Sequence, residues 1–185
     1  DGTVASLTGG DIKTLDGATV TEMSGGKITD MESGEVTTMT NGTIVALNGG
    51  DVKTLNGGTV TSMAGGKVTE MLTGEITTMT NGEVASLKGG DIKTLNGGTV
   101  TAMSGGTITS MLSGTVSAMP NGTIATFANG LISSMSGGFI TNFNGGLLNV
   151  MNGGNITTVS CCECAVRSQG VGGTVTKNGK IELSS

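Results

Sequence analysis

The stretch GTVASLTGGDIKTLDGATVTEMSG, residues 2–25, contains the pattern that decides the fold. A Val or Ile recurs every eight residues (Leu148 in one late octad), and Leu or Met follows it by three residues in all but three late octads. Gly precedes each Val or Ile by two positions, with Ala18 as the only exception. The octad runs twenty times without insertion, from Gly2 to Cys161. Its predicted core columns begin with Val4, Leu7, Ile12, Leu15, Val20, Met23, Ile28 and Met31.

This octad predicts short β-strands joined by bends. Helical repeats recur at about 3.5 to 3.7 residues, and a Gly in every octad would cost a helix about 1 kcal/mol each. We expect Val or Ile to point inward from a strand and Leu or Met to point inward from the bend that follows, with Gly pairs supplying positive φ at the corners. Strands this short must stack, at about 4.8 Å per layer. The sequence therefore predicts an all-β, octad-repeat β-helix over residues 1–160.

Composition narrows the function to a structural one. The 185 residues include 35 Gly, one Pro and no His, and the net charge is −5. One Pro excludes collagen, which needs abundant Pro and Gly at every third position. Without His, no His-based catalytic triad or His metal site can form. The acidic balance argues against nucleic acid as a partner, and no apolar run is long enough to span a membrane. We expect no enzymatic activity, no catalytic residue, no cofactor and no metal.

A second, longer repeat bears on architecture. Residues 9–48 match residues 49–88 at 25 of 40 positions, and GGDIKTLDG, GGDVKTLNG and GGDIKTLNG begin at Gly9, Gly49 and Gly89. Forty residues are five octads. A single-chain solenoid with two or three octads per turn would place this duplication out of register with its own faces, whereas three intertwined chains make all octads equivalent. The duplication therefore favours a homotrimer.

The uninterrupted octads with Gly-rich corners and a Val/Ile column resemble the triple-stranded β-helices of contractile-tail phage spikes and of type VI secretion spikes. The resemblance covers residues 2–161 and lies in period and residue class. It implies an intertwined, trimeric fibre that serves as a spike, collar-fibre or tail-fibre shaft of a bacteriophage or phage-like particle. Such a protein would be located in the virion or outside the cell, with other virion or assembly proteins as partners. Without His, the metal apex of some such spikes cannot be present, which favours a shaft.

The alternative is a single-chain β-solenoid, used as an extracellular filament subunit, an adhesin stalk or an ice-binding protein. Dispersed Thr residues do not form one clean stripe, which weakens the ice-binding interpretation. If each octad adds one layer, as in the trimer, twenty layers give a rod of roughly 95 Å.

Charge is distributed unevenly along the predicted rod. The residue between Gly and Val or Ile should face outward, and it is often charged in the first half of the chain. No Asp, Glu, Lys or Arg occurs between Lys93 and Glu163, and the outward position there becomes Leu131, Phe139 and Leu147. An exposed apolar patch usually marks a contact, so we predict a docking surface at these three residues. The alternative is that segment 165–185 folds back and covers them.

A cysteine cluster ends the repeat at residues 161–164. Cys161, Cys162 and Cys164 would converge around the axis of a parallel trimer, where interchain disulfides would lock the end of the rod and imply an oxidising exterior. Free or buried thiols are one alternative. A bound metal is another, although the spacing lacks a fourth ligand and differs from usual zinc sites.

The C-terminal segment, residues 165–185, differs again. Residues 174–183 alternate around Asn178-Gly179. An Asn-Gly pair between alternating segments is a strong hairpin signal. We expect a β-hairpin that caps the open end of the stack.

Overall fold

The computed structural model describes residues 2–160, 164–175 and 181–183. These residues form seventeen β-strands and no helix, which confirms the all-β prediction. No helix in the described part of the chain is long and apolar enough to cross a membrane. The strands are β1 (Thr3–Leu7), β2 (Asp11–Leu15), β3 (Thr19–Met23), β4 (Lys27–Met31), β5 (Glu35–Met39), β6 (Thr43–Leu47), β7 (Asp51–Met63), β8 (Lys67–Met79), β9 (Glu83–Leu87), β10 (Asp91–Met103), β11 (Thr107–Met119), β12 (Thr123–Phe127), β13 (Leu131–Met135), β14 (Phe139–Phe143), β15 (Leu147–Val159), β16 (Cys164–Val175) and β17 (Ile181–Leu183).

The strands stack as a parallel β-solenoid in which one turn takes sixteen residues, or two octads. Thr3 pairs with Thr19 and Asp11 pairs with Lys27, and the same offset continues to the pair Phe143 and Val159. Successive octads therefore lie on two opposite sheets. About ten turns follow one another, which gives a stack of about 48 Å at about 4.8 Å per layer. This is half the length that one layer per octad would give.

The two sheets are named here by their inward residues. The inward column of the Val sheet is Val4, Val20, Val36, Val52, Val68, Val84, Val100, Val116, Ile132 and Leu148. The inward column of the Ile sheet is Ile12, Ile28, Ile44, Val60, Ile76, Ile92, Ile108, Ile124, Ile140 and Ile156.

An apolar core lies between the sheets. The predicted core residues Leu7, Leu15, Val20, Met23, Ile28 and Met31 are buried. Val4 and Ile12 are exceptions: Val4 is 37 % exposed and Ile12 is only partly buried. They lie in the first layer, where β1 pairs only with β3 and β2 only with β4 among the described strands. The prediction of burial is wrong for Val4.

The Leu/Met column lies on the strands and not in the bend as predicted. Strand β5, for example, holds both Val36 and Met39, and both are fully buried. Side chains alternate along a regular strand, so two inward residues three positions apart require a local departure from alternation. The paired residues of β5 and β7 accordingly skip Thr37.

Glycine closes the corners because there is no room for a side chain. At Gly26 φ is +74°, and an added Cβ would lie 2.7 Å from the carbonyl oxygen of Gly10 in the layer before. The corner backbone is itself hydrogen-bonded between layers, as where Lys27 N donates to Gly10 O at 2.9 Å. The predicted role of the Gly pairs is confirmed.

The predicted C-terminal hairpin is wrong for the described residues. Strand β16 stacks in parallel on β15, with Val166 opposite Leu148, and β17 pairs in parallel with β16, with Ile181 opposite Cys164. A hairpin would require antiparallel pairing between neighbouring segments. Residues 176–180, which include Asn178-Gly179, lie outside the described residues. The segment 164–175 therefore extends the stack and does not fold back over Leu131 or Leu147.

The 40-residue duplication fits within the single chain. Five octads are two and a half turns, so equivalent residues fall on alternate sheets: Asp51 lies on the Val sheet, Asp11 and Asp91 on the Ile sheet. Successive octads are related by a half-turn and half a layer, so each sheet accepts the duplicated unit. The duplication thus does not by itself favour three chains.

Candidate functional surface

The outward side chains form columns along the stack. Each residue lies over the residue sixteen positions earlier, about 4.8 Å away, so a side chain on one layer reaches its neighbours above and below. The outward position before the Val/Ile column holds Glu35, Asp51, Lys67 and Glu83 in successive layers of the Val sheet. The predicted outward orientation of this position is confirmed, since these residues are partly exposed.

Ion pairs link layers in the first half of the stack. On the Val sheet Lys53 Nζ lies 3.0 Å from Asp51 and 3.6 Å from Glu35. On the Ile sheet Lys93 makes the same two contacts, at 3.4 Å to Asp91 and 3.6 Å to Glu75. Further pairs on both sheets join Lys27 to Asp11, Lys67 to Glu83 and Lys88 to Glu70. All involve side chains that are at least partly exposed to solvent, so each pair contributes little stability.

Lys53 shows the electrostatic effect of this arrangement. The hydrogen bond from Lys53 Nζ to Asp51, with the charges of Asp51 and then of Glu35, raises the pKa of Lys53 above its ordinary 10.5. The two carboxylates stabilise the ammonium form. No group of three Asp, Glu, Cys or His side chains among the described residues is placed to hold a metal ion.

The second half of the stack carries no charge from Thr94 to Ser160. Its outward residues are Thr, Ser, Ala and Asn, with a few large apolar side chains. Leu112 is 43 % exposed and Phe139 is 52 % exposed. Sequence reasoning missed Leu112 because it lies in a corner position outside the column considered.

The three predicted docking residues do not form one patch. Leu131 and Leu147 are directly stacked neighbours on the Val sheet, whereas Phe139 lies on the Ile sheet between Thr123 and Asn155. A turn of two octads sends consecutive octads to opposite sheets, which separates Phe139 from the two Leu residues. Val150, on the same strand as Leu147, joins the Leu pair on the Val sheet. The octad pattern does not predict it, because Val150 occupies a different octad position from the Leu pair.

The cysteine cluster is only partly described. Cys164 is 1 % exposed, and its Sγ lies 3.6 Å from the carbonyl oxygen of Phe143. Cys161 and Cys162 lie outside the described residues. Interchain disulfides therefore stay a prediction.

No protein-family model, curated protein or solved structure matches this chain. The likeness to spike β-helices therefore rests on the octads alone.

Proposed function

We propose that this chain is a mechanical rod, the shaft of a fibre or spike on a phage-like or other extracellular particle. The observation that carries the proposal is the unbroken parallel register from Thr3 to Val159 around inward columns that are almost entirely buried. Each layer adds the same hydrogen bonds and apolar contacts. Such a stack provides length and stiffness, and the octad resemblance supports its assignment to a virion.

The shaft could be one chain or the predicted intertwined trimer, and the Val/Ile columns favour one chain. Along the 40-residue duplication, Ile12, Ile28, Val36 and Ile44 become Val52, Val68, Ile76 and Val84. Each switch matches the residue type to its new sheet. Of the five Val/Ile positions in the duplicated unit, only one keeps its residue type, since Val20 corresponds to Val60. Three intertwined chains with equivalent octads would give no reason for this exchange.

Surface area supports the same architecture. The chain exposes 7674 Å², whereas a compact monomer of its mass would expose about 8,100 Å². One chain thus buries its apolar columns without help from other chains.

The ice-binding alternative has less support. The outward column that holds Thr37, Thr69 and Thr101 on the Val sheet is interrupted by Lys53 and Ala85. A continuous flat array of Thr is therefore absent from this column.

Removal of residues 49–80 tests the rod. This deletion takes out four octads, preserves the octad frame and keeps Ile44 and Val84 on their own sheets. A single-chain rod should shorten by two layers, about 10 Å, whereas a rod with one layer per octad should shorten by four layers, about 19 Å. Small-angle scattering measures the maximum dimension, and an unchanged dimension in a folded protein would contradict a rod of either kind.

Light scattering supplies the companion measurement. A mass of 18.2 kDa supports the single chain, and three times that mass supports the trimer. If a trimer band on a non-reducing gel collapses with reductant, the predicted cysteine lock is supported, and a single-chain band in both lanes would contradict it.

A further inference from the structure

The uncharged end of the Val sheet presents small outward side chains and a few larger aliphatic ones. Across its last four octads, the outward residues include Ala102, Ala118, Leu131, Leu147 and Val150, all partly exposed. Leu131 and Leu147 are stacked in adjacent layers. Arg167, exposed in the next layer, marks its end. This surface is called the aliphatic face below.

Among the residues that follow, the described ranges 164–175 and 181–183 do not cover this face. Strand β16 stacks on β15 with Ala165 opposite Leu147, so it extends the sheet beyond the face. The aliphatic face is therefore open in the described chain.

A second copy of the same chain has the surface that fits it. The layers that carry the aliphatic face follow one another without a register shift between Val100 and Met151, and their outward column changes from Thr99 and Thr115 to Leu131 and Leu147. The aliphatic faces of two copies have the same spacing between layers. Their rows of side chains can therefore interdigitate in every layer, as in packed pairs of identical sheets. A partner with a different surface repeat could match only a few rows.

Charge directs pairing to this end of the Val sheet. The earlier layers carry Glu35, Asp51, Lys53 and Lys67, and covering such groups costs desolvation. Two whole chains of net charge −5 also repel each other. The aliphatic face carries no charged group, so contact there has the lowest desolvation cost.

We propose that two copies of this chain pack sheet to sheet through the aliphatic face. Four layers by five residues give about 300 Å² per copy in projection. That is below the area of standard stable complexes and within the weak class, so pairing should be reversible and concentration-dependent. The inference rests on the two-sheet fold and not on the shaft role.

The test compares two double variants of the whole chain by sedimentation equilibrium over a concentration series. Leu131→Lys with Leu147→Lys charges the aliphatic face, at a column that already accepts Lys67. Thr123→Lys with Phe139→Lys makes the same charge change on the Ile sheet, at a column that already accepts Lys27. Circular dichroism checks that both variants fold.

The wild-type chain and the Ile-sheet variant should dimerise at high concentration, and the aliphatic-face variant should dimerise roughly tenfold or more weakly. A wild-type chain that stays at single mass throughout would overturn the proposal. Equal weakening in both variants would do the same, since net charge alone would then control association. A constant mass of three chains, insensitive to both variants, would overturn it in favour of the intertwined trimer. Because rod length is measured separately, failure here leaves the shaft proposal standing.

Discussion

The Val sheet and the Ile sheet are built from the same octad and carry similar ion pairs outside, yet their inward columns differ by one methylene group in most layers. Seven of the ten layers combine one Val with one Ile. The layer of Val52 and Val60 holds two Val, and the layer of Ile132 and Ile140 holds two Ile. The pairing indicates that each layer has a preferred total volume, since close-packed interiors respond to a single methylene.

The largest expected difference in stability between the two sheets lies in their late layers, where the Ile sheet holds two stacked phenylalanine rings. Phe127 and Phe143 are fully buried, with centroids 5.0 Å apart and planes 2° from parallel. Phe127→Ala should lower the free energy of unfolding by about 3–5 kcal/mol because it leaves a cavity. Met119→Leu, at the matching column of the Val sheet, should cost less than about 1.5 kcal/mol. Urea unfolding measures both, and similar losses would show that the rings have no special weight.

The corners that join the sheets should give the next largest effect. A Cβ on Gly65 would lie 2.1 Å from the carbonyl oxygen of Asn48, so Gly65→Ala should destabilise by about 1–3 kcal/mol through overpacking. Thr73→Ala is the control, because that corner already holds a side chain. Thermal unfolding of the two variants compares them. If the loss at Gly65 is no greater than that at Thr73, the corner does not need glycine there.

Adding one methylene group to each sheet tests directly whether each layer has a preferred total side-chain volume. Val60→Ile completes a layer that lacks a methylene, so it should stabilise by about 0.8 kcal/mol. Val68→Ile gives its layer a second Ile beside Ile76 and should destabilise by about 1–3 kcal/mol. Opposite signs in urea unfolding would sharpen the contrast between the sheets. Equal effects would mean that the two columns are interchangeable, as in a trimer of equivalent octads.

Much of this fold could be predicted from the octad, but its turn length could not be predicted from the octad alone. Val20, Met23 and their repeats were correctly placed in the core because burial follows the apolar spacing. The number of octads per turn depends on contacts between octads. The alternation Val4, Ile12, Val20, Ile28 carries that information as a sixteen-residue period, which is lost when Val and Ile are grouped as one residue class.

The candidate surface was predicted less well for the same reason. Leu131 and Leu147 meet only because a turn takes two octads, and Phe139 is sent to the other sheet by that same turn. Local turn chemistry at Asn178-Gly179 predicts a hairpin, yet the strands on either side of residues 176–180 pair in parallel with the layers next to them.

The smallest expected difference lies in the ion pairs outside the two sheets. Lys53 and Lys93 occupy equivalent places, but Lys53 lies closer to its Asp partner, at 3.0 Å against 3.4 Å. Lys53→Gln should therefore lower the melting temperature slightly more than Lys93→Gln, and high salt should reduce both losses by screening.

Because the pKa of Lys53 is raised in the folded chain, its contribution is fully present below pH 10.5, the ordinary pKa, and is lost as the pH rises through the folded pKa. The gap in urea midpoint between the wild-type chain and Lys53→Gln should therefore stay constant from neutral pH up to about pH 10.5, where both partners are carboxylates, and shrink above it. A gap that widens with rising pH would show that Asp51 and Glu35 do not favour the ammonium form. Asp51→Asn removes the closer partner, so it should narrow the gap at neutral pH.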